Sequence, residues 1–161
     1  MSRNNRALEN LLYRHIPITK SLGIHVAGYS GSRLVVQAPL AINANHYGTA
    51  FAGSIGALLM LGGLAIIRLK LADMGLRAHI MLVKSRILYL HPVATDIEVS
   101  CELASELTAS RIRQQWKRRS TMNVQVQGGV QAASGIAVKY AGCYAIQALS
   151  TDEIRRGVCF C

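Results

Sequence analysis

The sequence predicts an α+β fold in which an antiparallel sheet curves around one long central helix. Three observations carry that expectation. Strand-like runs come in pairs separated by turn signals, one long apolar segment lies between two of those pairs, and no repeat or linker divides the chain. At 161 residues the chain suits a single domain, 1–161, with its core between about 10 and 147, and is long enough to bury that core.

The first element is expected to be a short amphipathic helix from about Arg6 to His15. Glu9, Asn10, Arg14 and His15 interrupt its apolar face and no small-residue cleavage site follows, so it does not read as a signal peptide. The expected compartment is the cytoplasm. "GIHVAGYS" and "RLVVQA" then read as a hairpin turning at Gly31-Ser32, and Pro39 stops the second strand. The loop "LAINANHYGTA" leads into the apolar segment.

Beyond that segment, "HIMLVKSRILYL" is strand-like and ends at His91-Pro92. "DIEVSCEL" alternates, with Ile97, Val99, Cys101 and Leu103 on one face and Asp96, Glu98, Ser100 and Glu102 on the other. Residues 104–118 turn polar and basic, as a short surface helix would. "TMNVQVQ" alternates again, with Met122, Val124 and Val126 inward, and Gly128-Gly129 reads as a turn. "VQAASGIAVKYAGCYAIQ" completes the sheet, with Gly135 and Gly142 as bulge or close-approach positions.

The apolar segment poses the sharpest choice. Residues 45–70 carry no charge between His46 and Arg68, which is long enough for a bilayer. A lone span between two strand pairs would cut the sheet in half, whereas a helix apolar on every side is what an enclosing sheet demands. Arg68 and Lys70 suit the negative end of a helix dipole, and Gly75 suits its cap. The buried helix is therefore expected, and no membrane span.

A net charge of +10 favours polyanionic partners. The run "SRIRQQWKRRS" carries Arg111, Arg113, Lys117, Arg118 and Arg119 but no groove-reading motif, so nucleic-acid binding is set aside. Of the four cysteines, Cys101 falls on a buried strand face; Cys159 and Cys161 make at most half a zinc site and read as incidental residues of a frayed tail. No metal or cofactor is expected.

"NANHYGTAFAGS", the helix after it, and "RILYLHPV" at a strand end together resemble the hotdog thioesterases. The likeness is closest to the YiiD C-terminal type, whose helix starts with a similar "GT-x-F-A-G-S". The resemblance implies a hotdog fold and hydrolysis of acyl-CoA or acyl-carrier-protein thioesters. It also implies a homodimer, or a dimer of dimers, with sites shared across the interface. Relatives of the phenylacetyl-CoA type carry N-x-x-G-x-x-H-G-G before the helix and a carboxylate two turns into it. Asn45, Gly48 and Gly53 match that motif; Phe51 replaces its His, Ala52 its middle Gly, and Met60 its carboxylate.

Without that carboxylate, the chemistry falls to the helix start. Amides of Gly53 and Ser54 are expected to polarise the thioester carbonyl, because a helix N-terminus presents unpaired N–H groups. Asn45 is expected to orient water or hold the carbonyl, with an Asx-turn as its competing role. His46 has the chemistry of a base, and Ser54 that of a nucleophile or a helix cap. Gly48, Thr49, Phe51 and Met60 are expected along the substrate, with Arg118 and Arg119 attracting CoA phosphates or the acidic face of a carrier protein. The alternative is a protein that binds acyl thioesters and has lost catalysis along with the carboxylate.

Overall fold

The computed structural model describes residues 3–118, 121–132 and 135–149. Cys159, Cys161 and Arg119 lie outside them. Two short helices, α2 (Ile18–Ser21) and α3 (Leu40–Asn43), join the expected elements. The long helix is α4 (Ala52–Asp73) and the basic one is α5 (Ala109–Arg118). The strands are β1 (His25–Tyr29), β2 (Arg33–Ala38), β3 (Ala78–Tyr89), β4 (Ile97–Leu103), β5 (Thr121–Ala132) and β6 (Gly135–Ala148). They form one antiparallel sheet in the order β1-β2-β4-β5-β6-β3.

The sheet encloses α4. Leu58, Leu59, Ala65, Ile66 and Ile67 are fully buried, and they meet Val36, Ile97, Val99 and Tyr144 in one core. The helix is apolar and long enough to cross a membrane by length and composition, but 56% of its most apolar window is buried inside the protein. Gly62 and Gly63 make the contact close. A Cβ on Gly62 would crowd the Cys101 sulfur, and one on Gly63 would overlap the Tyr144 hydroxyl. Tyr144 donates to the Met60 carbonyl at 2.7 Å and shares a hydrogen bond with Tyr140, also at 2.7 Å. Burial and the Tyr140 hydroxyl push the Tyr144 phenol well above its usual range, and burial pushes the Cys101 thiol up to about 12. Neither group is a nucleophile; both pin the helix to the sheet.

Gly128-Gly129 does not turn the chain. β5 runs through both residues to Ala132, pairing them with Ser100 and Cys101 on β4 and with Lys139 and Tyr140 on β6. A Cβ there would run into the Ser100 and Val138 carbonyl oxygens, so the glycines serve close backbone approach inside the sheet. The hairpin lies further on, where Ala132 pairs with Gly135, a residue with φ of +115°. Gly142 is a close-approach position as expected, since the Tyr140 hydroxyl occupies its Cβ space.

The two sheet edges differ. Helix α1 (Arg3–His15) lies along β1 and presents Asn5, Glu9 and Tyr13 from one face. Asn5 donates to the Ala27 carbonyl, Glu9 accepts from the Val26 amide and the His25 ring, and Tyr13 donates to the Ile24 carbonyl. Four residues of helix rise about 6 Å and two residues of strand about 6.6 Å, so one helix face can serve successive strand groups. That edge is closed to pairing. β3 forms the other edge, and Met81, Leu82 and Val83 stand exposed on it, Val83 at 61%.

Gly63→Ala tests the helix–sheet contact. Overpacking costs about 1–3 kcal/mol, against a helix-propensity gain of about 1 kcal/mol. The variant is expected to unfold at lower urea concentration than wild type, and an unchanged midpoint would show that Tyr144 does not fix the helix.

Candidate active site

A cleft of about 280 Å³ opens at the N-terminal end of α4. One wall is Asn45, Thr49, Ala50, Ala52 and Ile55, and the other is residues 89–93, Tyr89 to Val93. Backbone hydrogen bonds fix the walls to each other and to the sheet. The Ala50 amide donates to the Val93 carbonyl at 2.7 Å, and Leu90 and His91 both donate to the Ala137 carbonyl. Tyr89 crosses between the walls, donating its hydroxyl to the Ala52 carbonyl at 2.8 Å, and burial raises its phenol above the usual value.

Asn45 organises the loop before the helix. Its Oδ1 accepts from the Tyr47 amide at 2.9 Å, an Asx-turn, and its Nδ2 donates to Thr49 Oγ1 at 3.0 Å. The Asn45 amide donates to the Thr49 carbonyl at 2.7 Å, closing a loop in which Gly48 has φ of +75°. A non-glycine residue at Gly48 would be strained there. Asn45 thus does what its competing role requires while still lining the cleft.

The start of α4 has an extended N-cap, Phe51, without a side-chain capping hydrogen bond. Ile55 donates to the Phe51 carbonyl, and among the described residues the amides of Ala52, Gly53 and Ser54 have no hydrogen-bond partner. Ser54 does not cap the helix. It sits in the third helical position and is buried, because the turn before it places Phe51 at the cap. The Phe51 ring lies over Gly53 and fills the space of a Cβ there. Ala52, rather than Gly53 or Ser54, lines the cleft.

The other expected residues separate. His46 packs against Tyr47 with ring centroids 3.9 Å apart and the rings tilted by 42°, and lies outside the cleft lining. Met60 is two turns down the helix, half-buried, with its carbonyl held by Tyr144. Arg118 ends α5, next to the start of β5, where Thr121 pairs with Gln147 and Gln147 with His79. That is the opposite end of the sheet from Tyr89 and the cleft. His91 lines the cleft but is not among the site residues expected from sequence. Its only signal is its place beside Pro92 at a strand end, in "YLHPV".

Six antiparallel strands curled around one long helix define a hotdog fold. Residues 5–148 match the family "Putative thioesterase (yiiD_Cterm)", and the chain belongs to that family. A thioesterase-type function follows from the membership. The fold is shared with a putative thioesterase from Shewanella oneidensis, at a TM-score of 0.81 and 24% identity over 92% of this chain and 100% of that one. A protein of unknown function from Chlorobaculum tepidum gives a TM-score of 0.82 at 21% identity, covering 91% and 95%. A thioesterase from Haemophilus influenzae gives 0.71 at 12% identity, covering 94% and 96%. At such identities the likeness shows the fold.

Tyr89→Phe removes the strap between the walls. Loss of one such hydrogen bond costs about 0.5–1.5 kcal/mol, and urea unfolding is expected to show a loss on that scale.

Proposed function

We propose that the protein hydrolyses acyl thioesters of CoA or carrier protein in the cleft at the start of α4. One observation carries the reading: the unpartnered amides of Ala52, Gly53 and Ser54 lie at the end of the helix that walls the cleft, with Asn45 and His91 in its lining. Such donors, fixed before substrate arrives, stabilise the charge that develops on a carbonyl oxygen, and the helix dipole has the right sign to help.

Water attacks the carbonyl carbon and its proton passes to His91, the cleft-lining side chain able to accept one. The oxyanion rests at the helix start on the Ala52 amide, which belongs to the cleft lining. It then collapses, the C–S bond breaks, and the leaving thiolate takes the proton from His91, giving a carboxylic acid and a free thiol. Asn45 keeps the loop and the water in place. Met60 gives the alternative its weight. With Met60 where relatives carry a carboxylate, a protein that binds acyl thioesters without turning them over is the second reading.

The same proposal includes a homodimer joined through β3. The β1 edge is occupied by α1 side chains, β3 is the other edge and carries the exposed apolar side chains of Met81, Leu82 and Val83, and edge strands of that kind pair. Met60, Leu61 and Leu64 of α4 are only partly buried, and Leu64 lines a groove with Ile80 and Met81 of β3.

Three measurements test this. A screen of CoA thioesters over several chain lengths is expected to show turnover, and Asn45→Ala or His91→Ala is expected to cut it about a hundredfold, the scale of losing one transition-state donor. Brisk turnover by both variants would reject the site. Met60→Asp restores the carboxylate; a large gain over an inactive wild type would favour the binding-protein reading. Light scattering at micromolar concentration is expected to give at least a dimer, and Val83→Lys on the exposed edge is expected to shift it toward monomer.

A further inference from the structure

We infer that the Tyr89 ring limits the length of the acyl group, so that the cleft takes short, uncharged acyl thioesters. This rests on the thioester reading given above and names its substrate class.

The cleft has an apolar floor and an uncharged lining. Of its lining residues, Ala50, Ile55 and Val93 are buried and form the floor, whereas Leu90, His91 and Pro92 are exposed and form the rim. No Asp, Glu, Lys or Arg is among the lining residues. The floor therefore suits hydrocarbon, and a carboxylate on the acyl group would leave water with no cation in the lining to meet it. Volume sets a first limit. At about 30 Å³ for each non-hydrogen group, the share of one water molecule in the liquid, a cleft of about 280 Å³ holds roughly nine such groups. The thioester group and the first methylene of its thiol arm take about four of them, leaving about five carbons beyond the carbonyl.

Tyr89 closes the way along α4. The thiol arm must leave through the open mouth, because it is tied to CoA or to a carrier outside, so only the acyl group has a free end to bury. Its path along the helix would run past Ala52 and Gly56 toward Met60. The Tyr89 hydroxyl is held on the Ala52 carbonyl at 2.8 Å, and pairing with Val138 on β6 holds the Tyr89 backbone. A methyl placed on Gly56 would lie 3.3 Å from that hydroxyl and 3.4 Å from Ile87 Cδ1. A hydrocarbon chain needs about 3.5–4.0 Å to the atoms on each side of it, so α4 and the end of β3 leave it no passage there. Further along the helix, Met60, Leu61 and Leu64 are only partly buried. Loss of the Tyr89 ring would open the cleft toward them.

The test is competition between CoA thioesters of different length in one mixture, which gives a ratio of kcat/KM values that does not depend on how much protein is folded. Wild type is expected to favour butanoyl-CoA over dodecanoyl-CoA by roughly tenfold or more, the scale on which a pocket rejects methylenes it cannot hold. Succinyl-CoA, as long as butanoyl-CoA in its acyl chain but charged, is expected to be poorer than butanoyl-CoA by a similar factor. Tyr89→Ala, or Tyr89→Leu if that variant folds poorly, is expected to raise the dodecanoyl-to-butanoyl ratio roughly tenfold. Tyr89→Phe keeps the ring without its hydrogen bond and is expected to keep the length order of wild type. A wild type that turns over dodecanoyl-CoA as well as butanoyl-CoA, or succinyl-CoA as well as butanoyl-CoA, would overturn the inference and leave the hydrolase reading standing. A ratio unmoved by loss of the ring, or moved as far by Tyr89→Phe as by Tyr89→Ala, would overturn it too. If wild type turns over no thioester, the hydrolase reading fails and binding of S-alkyl-CoA thioethers reads the limit instead. Tighter binding of the butyl than of the dodecyl thioether, with the gap narrowed by Tyr89→Ala, supports it, and the opposite order overturns it.

Discussion

The contact between α4 and the inside of the sheet is the constraint on which the rest depends. A helix without charge from Ala52 to Ile67 has no polar face to give to water, so the sheet must curl around it. Gly62 and Gly63 let Cys101 and Tyr144 reach the helix backbone, and Gly128 and Gly129 let the neighbouring strands approach one another. The Tyr144 hydroxyl on the Met60 carbonyl then fixes the helix along its axis. Fixing the helix fixes its first turn, where the free amides are.

The cleft follows from that placement together with two straps. Tyr89 ties the end of β3 to Ala52, and Ala50 ties the loop to Val93. Preorganisation of this sort is what oxyanion stabilisation requires, because donors that must move at the moment of reaction contribute less. Asn45 serves by holding its loop through Tyr47 and Thr49, a positional role compatible with lining the cleft. The side-chain chemistry is sparse: one imidazole, and no carboxylate among the lining residues.

The two edges of the sheet are built differently. Asn5, Glu9 and Tyr13 occupy the β1 edge with hydrogen bonds at successive backbone groups, which is a specific alternative to the charged or shortened edges that proteins often use. β3 is the other edge of the sheet. Its exposed Met81, Leu82 and Val83 lie between the cleft at one end of the strand and the level of α5 at the other.

Much of the fold is legible in the sequence through local rules. Strand alternation in "DIEVSCEL", the turn at Gly31-Ser32 and the unbroken apolar run give the element order, and the run's flanks favour a core helix over a membrane span. The motif from Asn45 to Gly53 points to the helix start, where the cleft opens. Local rules fail where a residue's meaning depends on what packs against it. Gly128-Gly129 has the chemistry of a turn, but adjacent strands need the space; Ser54 has the chemistry of a cap, but Phe51 takes that position. His91 becomes a cleft residue only because β3 ends beside the start of α4, and Arg118 lies away from the cleft only because β5 begins at the far end of the sheet. Periodicity and turn chemistry act over a few residues and can be read along the chain, whereas strand order and edge closure are set by contacts between segments far apart in it.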